Sequence, residues 1–422
     1  MGPIEATYRR RTPASEALSR RAEVVMPGGD TRAAAYHPPY YLTFARGEGP
    51  FLHDVDGHRY VDLIGNYTSL VHGNAYPPII EAAAAQMARG TQWPARNESQ
   101  VELAELLVAR IPSVQRVRFC NSGSEATMLA AYIARTVTGR RKILMARHGY
   151  HGSLEEFEFG THGREGPETL LAPFGDADAF ARVLAERGDE IACVILEPVM
   201  GSAGVFTPPT GFLAAVAAAT RAAGALFIAD EVITLRLATG GAQARYGVEP
   251  DLTAMGKIIG GGFPVGAVGG RAELLDVMDP RRPRLVHSGT FNGNPVTCAA
   301  GVVSVQHLTS DRIGVMGAQA ADLLRRLTRA AGRAGLPFSA NHEGSLLQLF
   351  FSPQAPDANA TRTDAALAGA FHLAALNHGV FFAGRGLVAL STVLDDDLVD
   401  ECGERLEAAM ADVAEVADTL TA

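Results

Sequence analysis

Lysine is almost missing from this chain. Of 37 basic side chains only two, Lys142 and Lys257, are lysine, and the rest are arginine. Arginine stays protonated and is a poor nucleophile, whereas a desolvated lysine can lose its proton and attack a carbonyl. Lys142, in GRRKILMA, reads as a surface charge at the start of a strand. Lys257 stands in TAMGKIIGGGFPVGAVGG (253–270), where seven of eighteen residues are glycine and none is acidic. That placement favours a chemical role.

Other scarcities exclude whole classes of function. The four cysteines, Cys120, Cys193, Cys298 and Cys402, are scattered without a CxxC pair. They suit reduced core thiols rather than disulfides or a zinc site. Positive charge is in deficit, with a net charge of −9, which argues against a nucleic-acid partner. Long apolar runs are missing too. The most apolar window, 211–230, is broken by Arg221 and Gly224, so it reads as helix then strand rather than a membrane span. The N-terminal stretch has no apolar core of the kind a secretory signal needs. A soluble, cytoplasmic protein is expected. At 422 residues, with 47% hydrophobic and 20% charged side chains, it is expected to fold into about two or three units.

What is present alternates. RVRFC (116–120), KILMA (142–146), ACVILE (192–197), ALFIADEV (225–232) and VGAVGG (265–270) read as strands. Between them Ala126, Leu129, Ala130, Ile133, Ala134 and Val137 recur at helical spacing, as do Phe212, Val216, Ala219 and Ala223. Apolar strands alternating with helices predict an α/β fold with a mostly parallel central sheet covered on both faces. Residues 1–58 carry a hairpin-like pattern with Asp56-Gly57 as its turn signal. Beyond about residue 305 the pattern changes to long helices and mixed strands, including SLLQLFF (345–351) and LVALST (387–392). The expected organisation is a large domain, 59–305, and a smaller α+β domain built from 1–58 and 306–422.

Ligands of such sheets collect at the carboxyl ends of the strands. There the sequence places Asn121-Ser122-Gly123-Ser124-Glu125, which suits either an ordinary N-cap or an anion at a helix N-terminus. It places Gly149-Tyr150-His151-Gly152, an aromatic held by glycines and suited to stacking on a flat ligand. His148 and His151 lack a third ligand for a metal site. Glu197 and Asp230 end two apolar strands, where a desolvated carboxylate needs a cation or a protonated heterocycle. A structural salt bridge would serve Glu197 equally well. The glycine-rich segment fails both nucleotide signatures. A P-loop would need Ser or Thr at Ile258 and Gly at Asp251, and a dinucleotide fingerprint would need Gly at Val265. A ligand with a phosphate, a flat ring, a protonatable ring nitrogen and an aldehyde would use all these parts, and pyridoxal 5′-phosphate (PLP) is such a ligand.

NSGSEATMLA, GYHG, ILEPV, ADEV, GGAQARYGVEPDLTAMGKIIGGGFPVGAVGGR and HSGTFNGNP together resemble the class III aminotransferases of the fold-type-I PLP-dependent transferase superfamily. The likeness runs from MPGGDTR (26–32) to the C-terminal helix. It is strongest to the branch of glutamate-1-semialdehyde aminomutase and the β-amino acid aminotransferases. The resemblance implies that Lys257 forms the Schiff base and shuttles protons, and that Asp230 pairs with the pyridine nitrogen. It implies Tyr150 on one face of the ring and Val232 on the other, with Ser122, Gly123 and Ser124 on the phosphate. Thr290 of a neighbouring subunit would join them, which implies a homodimer with shared sites. Glu197 is carried with the cofactor-binding set.

The resemblance also bears on the reaction. An aminomutase holds its intermediate behind a gating loop after GYHG. Here SLEEFEFGTHGREGPETLL (153–171) is shorter than that loop and lacks its Gly/Ser/Pro-rich pattern. Arg32 and Arg385 match arginines that β-amino acid aminotransferases use for substrate carboxylates, and Arg clamps a carboxylate bidentately. The alternative for each is one of many surface arginines, and it weighs more against Arg385 than against Arg32. Tyr67 and Tyr36 are candidate pocket walls. The expectation is transfer of the amino group of a β-amino acid to an α-keto acid. An aminomutase-type isomerase, a decarboxylase or racemase on the same scaffold, and a non-catalytic PLP-binding protein are the rival readings.

Overall fold

Seven short strands lie side by side in the computed structural model, which describes residues 2–359 and 364–421. Their spatial order is Arg116–Cys120, Gly266–Gly270, Leu252–Gly256, Leu226–Asp230, Ile191–Leu196, Lys142–Ala146 and Thr169–Ala172. Gly266–Gly270 runs antiparallel to both neighbours and every other pairing is parallel. Ile191–Leu196 and Leu226–Asp230 are buried at every residue, which accounts for their unbroken apolar sequences.

The helix Gly123–Thr138 shows how sequence positions this sheet. Ser122 caps its start, and Gly139 ends it in the left-handed conformation at φ 70°. Its small face, including Ala126, Ala130 and Ala134, packs with Ile143, Cys193, Ile228 and Val268 in one apolar cluster. Alanine at these positions lets the helix axis lie close to the strands.

Five strands fall where the apolar runs predicted them, within a residue or two at their ends. Two were not anticipated, Thr169–Ala172 and Leu252–Gly256. The second leads directly into Lys257.

These strands belong to one compact unit, Pro77–Ile313; the other comprises Met1–Tyr76 and Gly314–Ala422. In the second unit Phe44–Glu48, Phe51–Asp54 and Arg59–Asp62 form an antiparallel meander, extended by Val380–Phe381 parallel to its last strand. Gly57, at φ 90°, makes the anticipated turn. Because Arg59–Asp62 pairs within this meander, the unit takes in residues 59–76, which the sequence pattern had suggested for the larger domain. Ser339–Glu343, Leu346–Phe350 and Leu387–Ala389 make a separate three-stranded sheet. Tyr8, Tyr60, Leu323, Phe371, Leu390 and Leu406 belong to the core of this unit. Among the described residues no helix is long and apolar enough to cross a membrane.

Two histidines in this core face each other. The rings of His37 and His372 meet edge to face with centroids 4.7 Å apart. Burial pushes the pKa of His37 down to about 4, the Pro38 carbonyl opposing, and burial lowers His372 well below its ordinary value. Both are therefore neutral in the folded chain. Below their ordinary value near 6.5 the unfolded chain takes up protons that the folded chain refuses. Stability is then complete above that value and falls as the pH drops toward about 4, with His37 alone contributing on the order of 3 kcal/mol. Neither ring nitrogen of His372 has a hydrogen-bond partner among the described residues, so His372→Leu deletes a titrating group without breaking a bond. Melting temperature measured from pH 7 to pH 4.5 should fall less steeply in His372→Leu than in the parent. Parallel curves would contradict this.

Candidate active site

The carboxyl ends of the parallel strands bring most of the predicted cofactor residues together within Pro77–Ile313. Asp230 closes its strand and pairs in register with Ala254 of the next, so Lys257 emerges three residues further along the adjacent strand. Gly256, the last residue before Lys257, backs onto two of the others. A Cβ there would lie 3.5 Å from Gly123 Cα and 3.5 Å from Val232 Cγ1. Gly123 touches Val232 more closely still, since a Cβ on it would come within 2.8 Å of Val232 Cγ1. The start of the helix, Val232 two residues after Asp230, and the base of the lysine are thus one packed group. Lys257 itself is half-buried and holds a left-handed backbone at φ 49°. A non-glycine residue in that region marks stored strain, which concentrates at functional sites.

Asp230 is the electrostatic centre of this group. Its side chain is 5% exposed. One oxygen accepts the backbone N–H of Val232 at 3.0 Å, and the other lies 2.8 Å from His151 Nδ1. His151 is fully buried and edge-on to Phe157, and its Nε2 has no partner among the described residues. A proton on Nδ1 donated to Asp230 satisfies the contact. The sequence raised His151 only as a metal ligand beside His148. The structure turns the two apart, His148 Nδ1 to the Thr161 carbonyl and His151 to Asp230 across 79 residues.

Glu197 is buried and both its oxygens are used. They accept the N–H groups of Tyr150 and Gly201, each at 3.0 Å. Burial pushes its pKa up to about 7; His151 pulls against the rise and Asp230 adds to it. Glu197 thereby fastens the loop that carries Tyr150, whose side chain stays exposed. The same loop closes against the helix start. Thr127 Oγ1 donates to the His151 carbonyl at 2.6 Å, and Ser153 N–H donates to Ser124 Oγ at 3.3 Å. Gly152, at φ 94°, lies so near Ser124 that a Cβ would overlap its hydroxyl.

Ser122 Oγ accepts the Glu125 N–H at 3.1 Å, so its hydroxyl serves as an N-cap. The N–H groups of Gly123 and Ser124 then have no acceptor inside their own helix. Thr290 is exposed, and no hydrogen bond joins it to Ser122–Ser124 within the chain; its carbonyl accepts from Gln92 Nε2 at 2.5 Å.

Three predicted substrate residues, far apart in sequence, converge within the other unit. Arg385 and Arg32 both act electrostatically on Tyr67, whose pKa is raised by burial and drawn down by these two arginines in that order. Arg32 Nη1 donates to Asn66 Oδ1 at 2.6 Å, and Tyr67 OH donates to the Ala34 carbonyl at 2.7 Å. Arg32 and Tyr67 line a cavity of about 200 Å³ with Tyr41, Phe381 and Phe382. Arg385 and Tyr36 line another of about 260 Å³. His37 and His372 border both.

The first group of residues fits PLP. A buried carboxylate with the Val232 N–H and His151 beside it suits a protonated ring nitrogen, because a desolvated anion gains most from a cation. Two helix-terminal N–H groups suit a phosphate. Removing the His151 donor tests the electrostatic centre. His151→Phe should lower thermal stability by about 1–3 kcal/mol and speed loss of PLP on dialysis, while His151→Asn, which can still donate to Asp230, should recover much of both. Equal retention of PLP by both variants and the parent would contradict the assignment.

Residues 32–410 match the family described as Aminotransferase class-III. The chain is 38% identical over 408 residues to the beta-phenylalanine transaminase of Variovorax paradoxus, covering 93% of this chain and 92% of that one. It is 39% identical over 393 residues to a glutamate-1-semialdehyde 2,1-aminomutase of Heliobacterium modesticaldum, covering 87% and 89%. An omega-transaminase from Sphaerobacter thermophilus superposes with a TM-score of 0.92 at 37% identity, over 96% of this chain and 99% of that one. The chain belongs to the class III aminotransferases and is a PLP-dependent aminotransferase of the superfamily's α/β fold.

Proposed function

We propose that the enzyme moves the amino group of a β-amino acid to an α-keto acid in two half-reactions. The observation that carries this reading is the placement of Arg32 beside Tyr67 in the wall of one cavity and of Arg385 in the wall of another, with His37 and His372 bordering both. A transaminase alternates between two carboxylate substrates, and two guanidinium groups, each in the wall of a cavity bordered by the same two histidines, suit both. The relative named beta-phenylalanine transaminase supports the same choice.

When bound, PLP supplies an aldehyde for the amine and a ring that accepts electron density. The chain's residues supply the rest. Lys257 Nζ takes the proton from the carbon bearing the amine and returns it on the other side of the transfer. Asp230, fixed by His151 and the Val232 N–H, keeps a proton on the ring nitrogen. Gly123 and Ser124 hold the phosphate with Ser122 at the helix start, joined by Thr290 from a second copy of the chain in a homodimer. Tyr150 and Val232 confine the ring faces. Arg32 grips the β-carboxylate, and Arg385, between Gly384 and Gly386, serves the carboxylate of the keto acid. Tyr67 walls the pocket.

The segment after GYHG argues against an aminomutase. It contains a packed helix, Glu155–Thr161, with Phe157 fully buried and Thr161 Oγ1 donating to the Gly149 carbonyl at 2.9 Å. A gating lid would be built more loosely.

Mixing the PLP-loaded enzyme with β-, α- and ω-amino donors tests the proposal. A β-amino acid should bleach the cofactor's visible band, and only an α-keto acid should restore it. Arg32→Ala should raise KM for the β-amino donor roughly 10–100-fold, the worth of a charge-assisted hydrogen bond to a carboxylate. Turnover of glutamate-1-semialdehyde without added keto acid would overturn the reading in favour of the isomerase.

A further inference from the structure

Four consecutive residues, Gly65, Asn66, Tyr67 and Thr68, have positive φ, at 51°, 48°, 53° and 75°. Three of them are not glycine. Left-handed turns of L-residues bring Cβ too close to the following carbonyl, so such a run persists only where its surroundings enforce it.

The enforcement is visible. The buried carboxylate of Asp62 accepts the N–H groups of Ile64 at 3.0 Å and Gly65 at 2.9 Å, and Asn74 Nδ2 at 3.0 Å. Thr68 N–H donates to the Ile64 carbonyl and Leu70 N–H to the Gly65 carbonyl, at 2.9 and 2.8 Å. Residue 65 must be glycine, because a Cβ would lie 2.9 Å from the Leu70 carbonyl oxygen.

The turn presents two contacts to one segment of chain. Asn66 Oδ1 accepts from Arg32 Nη1 at 2.6 Å, and Tyr67 OH donates to the Ala34 carbonyl at 2.7 Å. The Asn66 amide is oriented from behind. Its Nδ2 donates to Ser69 Oγ at 3.2 Å, and Ser69 Oγ donates to the Asn66 carbonyl at 2.9 Å. The partner offered to Arg32 is thus a neutral oxygen, and Arg32 forms no ion pair with any described residue. A carboxylate at position 66 would hold the arginine equally well but cancel its charge. An amide holds it and leaves the charge for a ligand. Asparagine is also among the few residues, besides glycine, that tolerate left-handed backbone.

We propose that Asn66 is the positioning residue of Arg32, and that the left-handed turn 65–68 sets the enzyme's preference for carboxylate-bearing donors over amines that lack a carboxylate. This rests on the role given to Arg32 in the proposed function.

The test compares the PLP-loaded parent with Asn66→Gly, Asn66→Asp and Arg32→Ala. Each is assayed with the best β-amino acid found in the donor panel and with its analogue lacking the carboxylate. Asn66→Gly keeps the backbone conformation and deletes the amide. It should raise KM for the β-amino acid about tenfold, leave kcat within about threefold, and leave the carboxylate-free amine unaffected. Asn66→Asp keeps shape and adds a charge that competes with substrate, so its KM should rise at least as far. Added to Arg32→Ala, Asn66→Gly should change nothing further. A purely structural role would instead depress kcat for both donors alike, and that result would overturn the inference. So would an unchanged donor preference in Asn66→Gly while Arg32→Ala loses it. If Arg32→Ala itself leaves the preference intact, the proposed role of Arg32 fails first and takes this inference with it.

Discussion

A carboxylate at the end of a fully buried strand imposes the constraint from which the rest of the cofactor half follows. Asp230 has been taken out of water, and its hydrogen-bonding neighbours are the Val232 N–H and His151. A desolvated carboxylate gains most from a cation placed beside it. The surroundings fit that reading. Glu197 pins the Tyr150 loop, and the first turn of the helix Gly123–Thr138 stands against Val232. The small residues are equally constrained. Gly123 and Gly152 are places where a methyl group would press on or overlap the neighbouring parts, so backbone closeness takes the place of side chains.

The other unit solves a different problem. In the role proposed for it Arg32 must stay charged and oriented, and exposed arginines otherwise sample many conformations. A strained turn, a neutral amide and a tyrosine anchored to a backbone carbonyl restrict Arg32 without neutralising it. Strain here is the consequence of presenting two adjacent side chains, Asn66 and Tyr67, to one short segment of chain.

Much of this was legible in the sequence where chemistry and local pattern coincide. The apolar runs 116–120 and 142–146 became strands at those same residues. The near-absence of lysine draws attention to Lys257, and the fold places it just beyond the strand that pairs with Leu226–Asp230. Other parts were not legible. Leu252–Gly256 is rich in small residues and has no strand pattern of its own; it is a strand because Leu226–Asp230 and Gly266–Gly270 pair on either side. Thr169–Ala172 is too short at the sheet edge to stand out from the loop before it. Asn66 reads as an ordinary turn residue, since its partner lies 34 positions away. His151 reads only as half of a metal pair that lacks a third ligand, since its pairing with Asp230 spans 79 positions. Such contacts come from topology, which residue spacing does not encode.

The central claim is that one of the two lysines, the one at the carboxyl edge of the sheet, carries the cofactor. Borohydride reduction of the PLP-loaded enzyme, followed by peptide mass mapping, tests it most directly. The account predicts a stable pyridoxyl group on Lys257 and none on Lys142. Label on Lys142, or protein that reduces without retaining any label, would contradict it.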